Sequence, residues 1–293
     1  MSRSASLVAA LLALTLAAGA CSGGSASDEP TTTAAPTAAP TTEPTSAPAG
    51  EPAGSAYVAL GDSFTAGPGI GDLQAGAGFC QRSVRNWPTL LASSLGLDLT
   101  DVSCAGATTA DLASTLASLG DPSDARLVSV SAGGNDGSLF LSLIRACTGG
   151  QGACSSFVSD RAPAILAQTG ADLARLLRST VEAAPEATVV LVGYPRLMPS
   201  SGTCDTLGIS ADDVTTVAGA EDALDETLAE AATEAGVRYV SIRDASAGHD
   251  ACAGAEAWTN GGSVDQGDGI VFHPNARGMS AIADLVAAAV SQG

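Results

Sequence analysis

The stretch that decides the fold of this chain is Tyr57-Val58-Ala59-Leu60-Gly61-Asp62-Ser63. Its first four residues form an apolar, β-prone run, and the three polar or small residues that follow predict a turn. A serine directly after the first strand of a parallel sheet lies at the carboxyl edge, where α/β proteins place their ligands. The stretch therefore predicts an α/β protein with Ser63 at its ligand-binding edge.

Short β-prone runs alternate with longer helical patterns from this point onward. Strands are predicted over Tyr57–Leu60, Leu97–Ser103, Arg126–Ser131, Thr188–Gly193 and Val237–Ile242. Helices are predicted over Asp160–Glu182, Ala211–Ala235 and Asn275–Ser291. This alternation is typical of a parallel sheet between helical layers. We expect a three-layer α/β/α, flavodoxin-like sandwich with a five-stranded parallel sheet.

The N-terminus has the pattern of a secretory signal over residues 1–20. Arg3 precedes the apolar stretch Leu7–Ala18, which is short for a membrane span, and small residues follow it at the expected cleavage site. Cys21 comes next, so the junction resembles the lipobox of bacterial lipoproteins, although Ala18 occupies the position where that motif usually has Leu. We expect Cys21 to be the lipidated first mature residue; ordinary secretion is the alternative.

Residues 21–55 are dominated by Thr, Ala, Pro, Ser and Glu, with hardly a large apolar side chain among them. Such a composition cannot form a core and predicts a disordered tether. The folded domain is expected over residues 56–293. Its location would be the cell envelope, outside the membrane to which the tether is anchored.

The composition excludes several classes of chemistry and partner. All 12 basic residues are arginine, so mechanisms that need a lysine amine are excluded. His249 and His273 are too far apart for a helical zinc motif, and we expect no metal or organic cofactor. The net charge of -19 disfavours nucleic acid as a partner and limits membrane contact to the lipid anchor. A monomer is the default expectation.

The chain has seven cysteines, and six remain if Cys21 is lipidated. An even number in an exported chain favours disulfides, although many pairings are open. Short loops favour sequential pairing: Cys80 with Cys104, Cys147 with Cys154, and Cys204 with Cys252.

Three further polar segments follow predicted strands: Ser103–Thr109, Gly133–Asp136 and Gly193–Leu197. Together with Gly61-Asp62-Ser63 and His273-Pro274, they make the chain from Tyr57 onward resemble the SGNH (GDSL-type) hydrolases. The likeness is to the disulfide-containing secreted esterases and lipases of high-GC Gram-positive bacteria. The resemblance implies hydrolysis of carboxylic esters.

The same resemblance implies a role for each matched residue. Ser63 would be the nucleophile and His273 its general base. The backbone N–H groups of Ser63 and Gly106 and the side-chain amide of Asn135 would form the oxyanion hole. These groups suit the role because they donate hydrogen bonds without carrying charge.

One position departs from the family pattern, which usually has aspartate three residues before the histidine. Ile270 stands there, so we expect its backbone carbonyl to orient His273, with Asp268 or Asp265 as the alternative. The missing carboxylate also leaves open an inactive binding lipoprotein with the same fold.

Other residues have simpler interpretations. Asp62 is expected to accept hydrogen bonds from turn amides, Tyr194 to shape its loop, and His249 to pack beside a disulfide.

The low aromatic content, 3% of residues, favours short- to medium-chain esters as substrates over a large lipid groove or a sugar-stacking platform. Acetylated carbohydrates and phospholipid acyl chains are variants.

Overall fold

The computed structural model describes residues 54–149 and 152–292. The predicted signal peptide, Cys21 and nearly all of the predicted tether lie outside the described residues. The described part contains a five-stranded parallel sheet in the order β2-β1-β3-β4-β5. The strands are β1 (Ala56–Gly61), β2 (Asp98–Asp101), β3 (Leu127–Ser131), β4 (Thr188–Val192) and β5 (Arg238–Val240). The order is that of a flavodoxin-like sheet, as predicted.

Helices connect the strands and continue to the C-terminus. They are α1 (Ser63–Ala66), α2 (Trp87–Leu95), α3 (Thr109–Ser118), α4 (Leu139–Thr148), α5 (Ala153–Asp160), α6 (Ala162–Ala183), α7 (Ala211–Ala235) and α8 (Ala276–Val290). Among the described residues, none of these helices combines the length and hydropathy needed to cross a membrane.

The two faces of the sheet bury alternate residues of each strand. On β1, Val58 and Leu60 pack into a core with α3, α6 and α7, whereas Tyr57 and Ala59 pack into a second core with α2 and α8. Central strands buried on both faces are continuous apolar runs, which is why these runs were recognisable in the sequence. Each face of the sheet thus packs against its own set of helices, which gives the three-layer arrangement.

The second strand is shorter than predicted, and its continuation positions the site. Regular pairing ends at Asp101, but Val102 N–H donates to Ala59 O at 3.0 Å and Cys104 N–H donates to Gly61 O at 2.9 Å. The chain after β2 therefore stays beside β1 up to Gly61, close to Ser63.

The helices begin at capping residues that the sequence displays. Thr108 and Asp111 form a capping box at the start of α3, Ser210 caps α7 and Asn275 caps α8. The predicted bounds of α7 are confirmed, while the helix predicted to start at Asp160 starts at Ala162. Pro163 explains the break between α5 and α6, since proline lacks the N–H that a continuing helix would need.

The predicted sequential disulfides are confirmed. Cys80–Cys104 joins the α1–α2 connection to the loop after β2, and Cys147–Cys154 joins the end of α4 to α5. Cys204–Cys252 joins the loop after β4 to the loop after β5. Two of the three bridges thus hold loops that leave the carboxyl edge of the sheet.

Candidate active site

Ser63 is the first residue of α1, directly after β1. Asp62 caps this short helix, because its Oδ1 accepts the backbone N–H of Phe64 at 2.8 Å. Ser63 lies at the carboxyl end of β1 and is 7% exposed. A buried hydroxyl at a sharp strand-to-helix turn is suitably placed for a nucleophile, provided that a base reaches it.

His273 supplies a base from the loop that precedes α8. Its Nε2 lies 2.8 Å from Ser63 Oγ. A backbone hydrogen bond holds His273 in place, since its carbonyl oxygen accepts the N–H of Asn260 at 2.9 Å. The structure therefore brings together the two side chains that the sequence singled out, one from each end of the domain.

The other imidazole nitrogen of His273 is bound to a backbone carbonyl. Nδ1 lies 2.8 Å from the carbonyl oxygen of Val271. A carbonyl only accepts, so Nδ1 carries the proton and Nε2 has the lone pair that faces the serine hydroxyl. The prediction of a carbonyl partner has the right chemistry but names the wrong residue.

Local backbone geometry explains why Val271 replaces Ile270 as the partner. Phe272 has a φ of +54°, so the chain turns back between residues 271 and 273. The carbonyl of Ile270 instead accepts the side-chain N–H of Asn260 at 3.3 Å. A tight turn of this kind is not visible from residue types alone.

Neither carboxylate proposed as an alternative serves the imidazole. Asp268 Oδ1 accepts the backbone N–H of Ala276 at 2.7 Å, in the first turn of α8. Asp265 lies exposed and accepts the hydroxyl of Ser263 at 2.8 Å. Both alternatives are therefore wrong in this structure, because the Nδ1 proton of His273 is donated to the Val271 carbonyl.

Burial sets the protonation of the imidazole. Desolvation lowers the pKa of His273 from its ordinary value of 6.5, and the hydrogen bond to the Val271 carbonyl offsets only part of this effect. His273 is consequently neutral near pH 7, which is the form that accepts a proton from a serine.

The loops after β2 and β3 flank Ser63, because these strands are the two neighbours of β1 in the sheet. Gly106 lies in the first of them with a φ of +83°, a conformation that favours glycine. Asn135 lies in the second, and its side-chain Nδ2 donates one N–H to Ala107 O at 3.1 Å. This bond connects the two loops and leaves the second N–H of the Asn135 amide for another acceptor.

A buried hydrogen-bond chain that sequence reasoning missed connects three of the loops. The Tyr194 hydroxyl, after β4, donates to Asp62 Oδ2 at 2.6 Å and accepts the N–H of Gly134 at 3.0 Å. Burial raises the pKa of Asp62 to about 7, although the bonds from Tyr194 and Phe64 favour the carboxylate. The sequence places Tyr194 after a strand but contains no signal for where its hydroxyl points.

Aromatic packing supports the histidine. The ring of Phe64 lies 4.8 Å from the imidazole of His273 and 5.0 Å, edge to face, from the ring of Tyr194. Phe140 closes the cluster at 5.5 Å from Phe64. These contacts fix the imidazole plane, which the serine–histidine bond requires.

The second histidine lies elsewhere and has a packing role. His249 stacks on Trp258 with ring centroids 4.4 Å apart, and its Nδ1 lies 2.8 Å from the carbonyl of Glu256. Within residues 54–149 and 152–292, no group of three or more His, Cys, Asp or Glu is arranged to hold a metal ion.

A serine–histidine pair at the carboxyl edge of a parallel α/β sheet is the arrangement of a hydrolase with a serine nucleophile. The chain matches the model of the GDSL-like lipase/acylhydrolase family over residues 59–281, and it belongs to that family. The resemblance seen in the sequence is therefore confirmed. Membership makes the chain a carboxylic ester hydrolase.

Two similar proteins are lipases of Streptomyces. The chain is 33% identical over 227 residues to a lipase of Streptomyces rimosus, covering 76% of this chain and 82% of the lipase. It is 35% identical over 253 residues to Lipase 2 of Streptomyces coelicolor, covering 78% of this chain and 83% of that lipase.

Solved structures show the same fold. The extracellular lipase of Streptomyces rimosus superposes with a TM-score of 0.71 at 30% identity, covering 80% of this chain and 99% of that one. Phospholipase A1 of Streptomyces albidoflavus superposes with a TM-score of 0.66 at 29% identity, covering 81% and 99%.

Proposed function

We propose that this protein hydrolyses short- to medium-chain carboxylic esters, including those of lipids, by a Ser63–His273 dyad. The observation that carries the proposal is the 2.8 Å contact between His273 Nε2 and Ser63 Oγ, with Nδ1 held by the Val271 carbonyl. A serine hydroxyl becomes an effective nucleophile when a neutral imidazole accepts its proton. The lowered pKa of His273 keeps the imidazole neutral near pH 7.

The reaction proceeds in two halves. In the first, Ser63 Oγ attacks the ester carbonyl while His273 Nε2 takes the hydroxyl proton. The tetrahedral intermediate collapses, the bond to the alcohol breaks, and the imidazolium returns the proton to the leaving alkoxide. In the second half, a water attacks the acyl-serine while His273 Nε2 takes its proton; the bond between the acyl carbon and Ser63 Oγ then breaks, the imidazolium returns the proton to Oγ, and the acid leaves.

The negative charge of each tetrahedral intermediate needs donors. We assign them to the backbone N–H of Ser63, the backbone N–H of Gly106 and the free side-chain N–H of Asn135. Support comes from the sheet order, which places their loops side by side, and from the Asn135–Ala107 bond that orients the amide. Removing one such donor typically lowers turnover by about a hundredfold or more.

We further propose that the enzyme is exported, acts as a monomer and is anchored through Cys21 to the outer face of the cell membrane. Three disulfides among the described residues are typical of an oxidising compartment. The anchor rests on the sequence pattern around Cys21. The mass of the exported chain tests it, because a diacylated Cys21 adds mass that Cys21→Ser must remove.

The proposed activity is tested with p-nitrophenyl esters from acetate to palmitate. Ser63→Ala should abolish hydrolysis, whereas Ser155→Ala, a matched change of an exposed serine on α5, should leave the rate unchanged. The parent's rates give the preferred chain length. Equal activity in the Ser63→Ala protein, folded and oxidised, would remove Ser63 from the mechanism.

A further inference from the structure

Most of the exposed large apolar side chains of the described residues belong to segments that leave the carboxyl edge of the sheet. The exposed side chains are those of Leu73, Phe79, Val84, Leu141, Val181, Val264 and Val271. All except Val181 lie in connections or helices that begin at the carboxyl edge of the sheet, where Ser63 and His273 are. Scattered exposed apolar residues are ordinary, but a concentration around one site indicates an interaction surface.

Phe79 is the most exposed member of this group. Its side chain is 85% accessible, and it lies in a short 3₁₀ turn, Gly78–Cys80, of the α1–α2 connection. An aromatic side chain left in water contributes little to the stability of the domain. The exposure of Phe79 therefore indicates a binding partner outside the folded domain.

The turn that carries Phe79 is held against the site. Cys80 is bonded to Cys104, and its carbonyl accepts the N–H of Ala105 at 3.0 Å, next to Gly106. Arg82 adds a bond from its guanidinium to Ser103 O at 2.9 Å. Phe79 is thus displayed from a fixed support at the rim of the site rather than from a free loop.

The charge of the same connection differs from that of the chain as a whole. The chain has 31 acidic and 12 basic residues, whereas the α1–α2 connection, residues 67–86, contains two arginines, Arg82 and Arg85, and one acidic residue, Asp72. Arg85, with an exposed side chain, lies in the same connection as Phe79. An exposed aromatic side chain and an exposed arginine in one connection are complementary to a phospholipid surface, whose acyl region lies beneath anionic phosphates.

We propose that residues 73–85, led by Phe79, dock the enzyme on a phospholipid surface, which adds a second membrane contact to the lipid anchor that the sequence predicts. Phe79 inserts into the boundary between headgroups and acyl chains, while Arg85 contacts phosphates. The docked orientation brings the mouth of the Ser63–His273 site to the ester bonds. This inference rests on the proposed ester hydrolysis and specifies its substrate as an aggregated lipid.

Binding is tested without catalysis and without an anchor. Residues 21–293 carrying Cys21→Ser and Ser63→Ala are sedimented with vesicles of phosphatidylcholine and phosphatidylglycerol. Adding Phe79→Ser should weaken binding about tenfold or more, the loss expected for keeping one aromatic side chain in water. Val181→Ser, which changes an exposed apolar residue at the far end of α6, should leave binding unchanged. Equal binding by the Phe79→Ser and parent proteins would overturn the proposal.

Turnover measurements distinguish a role of Phe79 in docking from a role in the chemical step. With Ser63 intact, Phe79→Ser should hydrolyse soluble p-nitrophenyl acetate at the parent's rate and vesicle phospholipid about tenfold more slowly. An equal loss on both substrates would refute docking and make Phe79 a support of the site. If the parent bound vesicles through Phe79 but hydrolysed no ester, docking would stand and the proposed function would fail.

Discussion

Asp268→Asn is the substitution that separates a dyad from a triad in this enzyme. In the structure, Asp268 Oδ1 accepts the backbone N–H of Ala276, while His273 Nδ1 is bound to the Val271 carbonyl. Asparagine retains an acceptor oxygen for Ala276 and loses only the charge. The substitution therefore removes a carboxylate from the neighbourhood of the site without removing the capping bond.

The two mechanisms differ widely in the expected magnitude. Where a carboxylate orients the histidine of a triad, replacing it with the amide lowers kcat about 10⁴-fold, or about 5.5 kcal/mol of transition-state stabilisation. In this protein, Asp268→Asn should remove only the favourable interaction of a negative charge with the N-terminus of α8. That change lowers the free energy of unfolding by about 0.3–1 kcal/mol. We expect kcat to change by less than about threefold.

The assay is steady-state hydrolysis of p-nitrophenyl butyrate, with thermal unfolding measured on the same samples. His273→Ala is the reference for complete loss of the base and should remove nearly all activity. A folded Asp268→Asn enzyme that lost several orders of magnitude in kcat would show that Asp268 moves to the imidazole during turnover, and it would refute the carbonyl-oriented dyad.

Three further outcomes follow from the site. Asn135→Ala should lower kcat by about a hundredfold or more if its side-chain N–H is the oxyanion donor that we propose; an unchanged rate with unchanged circular dichroism would remove Asn135 from the oxyanion hole. Because burial lowers the pKa of His273, kcat/KM should rise with pH through a midpoint below 6.5; a midpoint above that value would contradict the assignment. Burial raises the pKa of Asp62 from 3.8 to about 7, so its contribution to stability is fully present below pH 3.8 and is lost as pH rises to about 7. Urea unfolding should therefore show Asp62→Asn with a flatter pH dependence between these limits, and an unaltered dependence would refute this account.

Much of the fold could be predicted because its signals are local. The buried runs of β1, β3 and β4 and the capped pattern of α7 appear directly as apolar periodicity and capping residues. The boundary between α5 and α6 was less clear, since a helical pattern continues across it and only Pro163 indicates the break. The three disulfides followed from cysteine order because pairing each cysteine with its neighbour in sequence gives the simplest closures.

The sequence by itself determined the α/β class, the strand-end position of Ser63 and the choice of His273 as its partner. The class and the position of Ser63 follow from residue types and from spacings that regular secondary structure imposes, whereas the choice of His273 came from the resemblance to the SGNH hydrolases. The tertiary structure alone decided that Val271, not Ile270, holds the imidazole, and that Tyr194 links Asp62 to Gly134. Such partners depend on single backbone torsions, as at Phe272, and on contacts between loops distant in sequence. A hydrogen bond requires its donor and acceptor to meet within a few tenths of an ångström, and only the folded chain brings them to that distance.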